Sequence, residues 1–247
     1  MIRHRCWRAR HHFRNQPVDV NVVASAGRRK KLLVADMDST IINCECLDEL
    51  ADMAGIKAIV SAITERAMRG ELDFAAALRE RVARLKGLPL TALHHVYTQR
   101  VRLNPGARTL VATMRKHGAH TLLVSGGFSY FTSRVAKDAG FQADQANVLL
   151  DDGTALNGTV REPILGREAK LAALENCAAQ NGIDVADTLA VGDGANDLAM
   201  IQCAGMGVAF RAKPIVAAAA KQSVMHGDLS ALLYLQGFCD NEIVRLD

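Results

Sequence analysis

At 247 residues the chain has room for one large domain, or for one domain carrying a smaller insertion. Apolar residues make up 49% of it and aromatics only 4%, so the core is built from Ala, Leu, Val and Ile, which suits a helix-covered sheet better than an aromatic-rich sandwich. No apolar run approaches the roughly 18 residues of a membrane span, and the formal net charge of +4 is concentrated at one end.

Residues 1–18 contain Arg3, Arg5, Arg8, Arg10 and Arg14, with His4, His11 and His12, and no acid. A disordered tail, a nucleic-acid or membrane-surface contact and an organelle transit peptide all fit such a stretch. We take it as a tail, because an interaction patch usually recurs on the folded body. Residues 1–30 are therefore set apart as a flexible basic arm, and neither nucleic acid nor membrane is expected as a partner. The cysteines (Cys6, Cys44, Cys46, Cys177, Cys203 and Cys239) form no CxxC pair. Cys44-Glu45-Cys46 lacks the partners of a metal site, and reduced thiols in a cytoplasmic protein account for the set.

Residues 31–35 read as a short buried strand, followed at once by Asp36, Asp38, Ser39 and Thr40. An open α/β sheet presents such a carboxylate pair at the carboxyl edge of a central strand, although an Asx-type loop before a helix would use the same residues. Helical periodicity then covers CLDELADMAG, IKAIVSAITERAMRG and DFAAALRERVARLKG, stopped by Gly55, Gly70 and Gly87, with Asp73 as an N-cap and Pro89 beyond. No strand interrupts these helices. Residues 46–103 are thus expected to form a helical insertion that can sit over the sheet edge as a lid.

Asn104-Pro105-Gly106 marks the return to the main unit, residues 31–45 and 104–247. A helix leads to a second buried strand, HTLLVS, which ends in Ser125-Gly126-Gly127, and a further helix follows. Alternation around Asp152-Gly153 predicts a hairpin. REAKLAALENCAAQNG is helical with Lys170 near its start, DTLAVGDGANDLAMIQCAG reads as strand, loop and helix, and GMGVAF as a closing parallel strand. GDLSALLYLQGF reads as a closing amphipathic helix. Repeated strand–helix units predict a doubly wound parallel α/β sheet with right-handed crossovers.

Three predicted strands end in polar clusters, and a parallel sheet brings those ends to one edge. Converging carboxylates repel unless a hard cation lies among them, and Mg²⁺ is commonly held by one or two carboxylates plus phosphate oxygens. Ser125 with two glycines at a helix start supplies an anion cradle, to which Lys170 adds a charge. These are the parts of a phosphoryl-transfer site.

The ordered set DMDST, SGG, Lys170 and GDGANDLAM resembles the haloacid-dehalogenase superfamily of phosphatases, over about residues 32–200. Within it, ECLDELADMAG, AMRGELDF, LRERV and SGGF resemble the phosphoserine phosphatases, from about Lys31 to Ala220. The resemblance implies hydrolysis of O-phospho-L-serine, the last step of serine biosynthesis, by a Mg²⁺-dependent cytoplasmic enzyme acting as a monomer or homodimer. It implies Asp36 as nucleophile and metal ligand, and Asp38 as acid–base residue and, through its backbone carbonyl, metal ligand. Asp193 would complete the metal site with Asp197 behind it. Ser125, Gly126, Lys170 and Asn196 would hold phosphate. Glu45 would meet the substrate ammonium, Arg81 its carboxylate, and Met68 and Phe74 would close over it. Only 35 residues precede Asp36, too few for the ACT-type regulatory domain of many long relatives. A superfamily phosphatase or mutase for another small phosphate ester is the alternative, and a non-catalytic binding module is the more distant one.

Overall fold

A computed structural model describes residues 12–13, 16–68 and 71–246, with only the backbone of Met68. Residues 1–11, 14 and 15, which include all five arginines of the stretch 1–18, lie outside the described residues. The core is a six-stranded sheet in the order β3-β2-β1-β6-β7-β8, formed by β1 (Leu32–Asp36), β2 (His120–Phe128), β3 (Ala143–Asn147), β6 (Thr188–Gly192), β7 (Met206–Phe210) and β8 (Gln222–Val224). Every pairing in it is parallel. The doubly wound parallel sheet is therefore as the sequence predicts.

The strand order puts β1 at the centre, between β2 and β6, with every residue of it buried. A strand buried on both faces must be apolar throughout, and Leu32-Leu33-Val34-Ala35 satisfies this until Asp36 emerges at its carboxyl end. Each of those larger side chains contributes about 1.5–3 kcal/mol by burial. Asp36 is thereby fixed to a rigid element. Two strands escape the sequence reading. β3 is polar (Ala-Asp-Gln-Ala-Asn) because it lies at one sheet edge, and β8 is only three residues long at the other.

Four helices follow β1: α1 (Cys46–Met53), α2 (Lys57–Met68), α3 (Phe74–Ala83) and α4 (Leu90–Gln99). The first three match the predicted helices. The fourth starts directly after Pro89, whose fixed φ suits a helix start, and buries Ala92, Leu93 and Val96. Leu50, Leu78, Val82, Leu93 and Val96 share one apolar cluster with Leu33 and Ala35 of β1, so α1, α3 and α4 share a continuous core with the sheet.

The chain leaves and re-enters the sheet region at one neck. There Asn43 N–H donates to the Arg102 carbonyl, Arg102 N–H donates to Asn43 Oδ1, and Asn104 Nδ2 donates to the carbonyls of Thr40 and Ile42. The hairpin of β4 (Leu149–Asp151) and β5 (Leu156–Val160) is hydrogen-bonded to the turn before α4, through Gly87 to Leu156, Leu156 to Leu88 and Leu90 to Thr154.

Residues 19–30, set apart above as part of a flexible arm, run against the C-terminal half. Asp19 accepts from the backbone N–H groups of Met225, His226 and Gly227. The Asn21 amide bonds both the N–H and the carbonyl of Ser223 on edge strand β8. Arg29 pairs with Glu242 at 2.7 Å. No helix among the described residues is long and apolar enough to cross a membrane.

Candidate active site

The carboxyl ends of β1, β2, β6 and β7 open into a cleft of about 370 Å³, roofed by α2 and α3. Asp36, Asp38, Ser39, Glu45, Asp48, Thr64, Phe74, Arg81, Ser125, Gly126, Asp193, Asn196 and Lys213 are among its walls. Lys170 and Asp197 lie beneath, essentially sealed from solvent.

The turn after β1 is irregular. Asp38 is extended (φ −65°, ψ 136°), and Ser39 takes the left-handed region at φ 56°, uncommon for a residue other than glycine. The two carboxylates find different partners. Asp36 Oδ1 accepts from the Met37 N–H at 2.8 Å and from Lys170 Nζ at 2.6 Å. Asp38 instead accepts from the Cys46 N–H at 2.9 Å through Oδ1 and from the Ser125 hydroxyl at 3.0 Å through Oδ2. Ser39 donates its hydroxyl to Glu45 at 2.6 Å.

Lys170, from the helix at Arg167–Gln180, bridges Asp36 and Asp197 at 2.6 Å each. Burial alone would drive its proton off, but the two carboxylates outweigh burial and raise its pKa above the ordinary value. Asp36 is pushed up by burial and by Asp197, against the pull of Lys170. Asp38 is likewise raised by burial, against its bonds to Cys46 and Ser125. Asp193 is pushed up to about 6 by burial and by Asp197, opposed by Lys213, Lys170 and Thr40.

Packing explains the glycines here. A Cβ at Gly192 would stand 2.4 Å from Asp197 Cγ, so only glycine lets that carboxylate tuck under β6. One at Gly126 would stand 3.1 Å from the Phe74 ring, which also covers Gly166. Phe74, the first residue of α3, therefore lies directly over the Ser125–Gly126 turn.

Each of Asp36, Asp193 and Asp197 offers a carboxylate oxygen within 4.8 Å of the others. An all-oxygen set in which Asp197 raises the pKa of both Asp36 and Asp193 suits a hard divalent cation, which would relieve that repulsion. Asp197 has both oxygens engaged, Oδ1 by Lys170 and Oδ2 by the Gly194 N–H at 3.0 Å, whereas Asp193 receives one long contact from Thr40 at 3.3 Å. Asp36 and Asp193 are accordingly the better placed to bind a cation directly.

The outer half of the cleft carries opposite charges. Glu45 is open to the cleft, yet its walls strip enough water to push its pKa to about 7, with Asp38 adding repulsion. Arg81 is half-buried, its Nε bonded to the Ala77 carbonyl at 3.2 Å; burial lowers its pKa against the pull of Asp48 and Glu45. Its neighbour Arg79 turns away to Glu162 at 2.8 Å. Met68 ends α2, and its side chain is not described. Asp48, Thr40 and Lys213 are site residues that the sequence reading missed. Asp48 and Thr40 lie one turn or less from Glu45 and Asp38, a proximity that flags them only once the loop's path is known.

A match to haloacid dehalogenase-like hydrolase spans residues 33–202. A phosphoserine phosphatase of Polaromonas sp. is 47% identical over 211 residues, covering 83% of this chain and 89% of that protein. One of Streptococcus thermophilus is 48% identical over 200 residues, covering 81% and 93%. Among solved structures, a phospho-aspartyl intermediate analogue of phosphoserine phosphatase is 38% identical with a TM-score of 0.76, covering 83% of this chain and 98% of that one. A probable phosphoserine phosphatase of Vibrio cholerae, unliganded, is 36% identical with a TM-score of 0.81, covering 91% and 70%.

Proposed function

The chain belongs to the haloacid dehalogenase-like hydrolases and, among them, to the phosphoserine phosphatases, and from that premise we propose that it hydrolyses O-phospho-L-serine to L-serine and phosphate through the cleft above β1. The observation that carries the reading is the division of that cleft into two halves. An inner half combines buried carboxylates with a lysine, and an outer half sets Glu45 against Arg81. The inner half suits a phosphate, and the outer half suits the ammonium and carboxylate of an amino acid.

In this mechanism Asp36 is the nucleophile. With Oδ1 held by Met37 and Lys170, Oδ2 attacks phosphorus to form an aspartyl phosphate, and the serine oxygen leaves. Asp38, whose pKa burial raises, protonates that leaving oxygen; as the carboxylate it then takes a proton from the water that hydrolyses the intermediate. Ser125, the Gly126 N–H and Asn196 bind phosphoryl oxygens, and Lys170 favours the ionised form of Asp36 against burial and balances the anionic charge. Asp36, Asp193 and the Asp38 backbone carbonyl would hold Mg²⁺, with Asp197 behind them, supplying charge neutralisation at the phosphoryl group. Phe74 closes over the substrate, with residues 46–103 acting as a cap on the unit formed by 31–45 and 104–247. We place this chemistry in the cytoplasm, where the free thiols suit a reducing medium.

Substrate choice is tested at Glu45 and Arg81. Arg81→Lys keeps the charge but loses the planar fork, and the KM for phosphoserine should rise about 10- to 100-fold. The KM for phosphoethanolamine, which has no carboxylate, should move less than about threefold. Glu45 adds a pH signature. As pH falls through about 7, protonation of Glu45 removes the partner of the substrate ammonium, so KM for phosphoserine rises. A phosphate ester without an ammonium shares the titration of the phosphate but not this extra rise, and Glu45→Gln abolishes it. Equal effects of both substitutions on all three esters would remove the amino-acid assignment.

A further inference from the structure

Three strand ends were expected to supply the site, but a fourth reaches it. β7 pairs with β6 as far as Gly192 and Ala209, and the chain beyond it brings Lys213 to the cleft mouth beside Asp193, Gly194 and Asn196. Its backbone is pinned on both sides. Lys213 N–H donates to the Asp193 carbonyl at 3.2 Å, while its own carbonyl accepts from Val216 and Ala217 in the helix at Pro214–Ala219. Its side chain is exposed and forms no ion pair within 4.0 Å among the described residues. A surface lysine normally ranges freely on its flexible stem, but a fixed backbone at the rim of an acidic cleft confines the charge to the entrance.

We propose that Lys213 is an electrostatic gatepost of the site: it draws the dianionic phosphate past the carboxylates at the cleft mouth while weakening the cation affinity of Asp193. This deepens the phosphatase reading and rests on it. The physical need is clear from the cleft walls, where Asp36, Asp38, Glu45, Asp48 and Asp193 confront an anionic substrate and Arg81 is the other cationic side chain among the described residues. Lys170 lies too deep to act at the entrance.

The two roles have opposite signs, which a structural role would not reproduce. In Lys213→Met, kcat/KM at low ionic strength should fall about three- to tenfold, and the deficit should shrink as salt rises and screens the entrance. Mg²⁺ affinity, read by calorimetry without substrate, should tighten about two- to fivefold, because a repelling charge has gone. Lys213→Arg should restore both values, and Lys213→Gln replaces the Met variant should that one fail to fold. A salt-independent loss of kcat/KM, an unchanged kcat/KM, or unchanged or weakened Mg²⁺ binding would each overturn the proposal. Kinetics are run on whichever phosphomonoester the wild type hydrolyses, so a wrong choice of phosphoserine shows up separately in the wild type.

Discussion

Asp36→Asn should keep the fold and lose phosphate release by on the order of 10⁴-fold or more. The substitution is nearly isosteric, and the amide oxygen can still accept from the Met37 N–H. Lys170 keeps Asp197 as a partner at 2.6 Å, so no buried cation is stranded. Removing one of two mutually repelling buried carboxylates offsets much of the lost ion pair. A melting temperature within a few degrees of wild type should therefore accompany the loss of turnover. Release retained above about a tenth of wild type would remove Asp36 from the nucleophile's role. The effect is large because a neutral amide cannot supply the attacking anion, whereas removing a group that only binds phosphate leaves that anion in place.

Lys170→Met should have the second largest effect, and it should be felt in stability as well as in turnover. The substitution leaves Asp36 and Asp197 buried without their shared cation, which costs about 3–5 kcal/mol. For a chain of this size that is a fall of roughly 10 °C in melting temperature. The pH dependence has a definite sign. Burial and Asp197 already raise the folded-state pKa of Asp36, and loss of the lysine raises it further. A carboxylate with a raised folded-state pKa binds more protons folded than unfolded, so its destabilisation grows as pH rises through and beyond the unfolded value. The variant should lie closest to wild type near pH 5 and furthest from it near pH 8, and Mg²⁺ should recover part of the difference. A variant that melts with wild type at both pH values, measured by calorimetry, would mean that the carboxylates are not held by Lys170.

Much of the fold is legible in the sequence because a parallel sheet buried on both faces demands unbroken apolar strands. β1, β2, β6 and β7 meet that demand. β3 does not, since an edge position tolerates Asp144 and Gln145, and β8 is too short to carry a pattern. The helix at Leu90–Gln99 is hidden by Pro89, which reads first as a stop and acts here as a start. The polar clusters at the strand ends stand out because carboxylates and glycines interrupt those apolar runs abruptly. What the one-dimensional pattern cannot carry is the left-handed turn at Ser39 and the path that brings Lys213 to the cleft. Residues 19–30 illustrate the same limit. On sequence they are set apart with the basic stretch before them, whereas Asp19 and Asn21 bond backbone groups more than two hundred residues away, which no local pattern records.

Phosphate release is the most direct measure of the proposed hydrolysis. Wild-type protein is assayed on O-phospho-L-serine and on a panel of other small phosphomonoesters, with Mg²⁺ and again after chelation by EDTA. Phosphoserine should be hydrolysed with the highest kcat/KM of the panel, with activity lost on chelation and recovered when Mg²⁺ is returned. Phosphoserine left intact while another ester is hydrolysed, or turnover that survives chelation unchanged, would contradict the account.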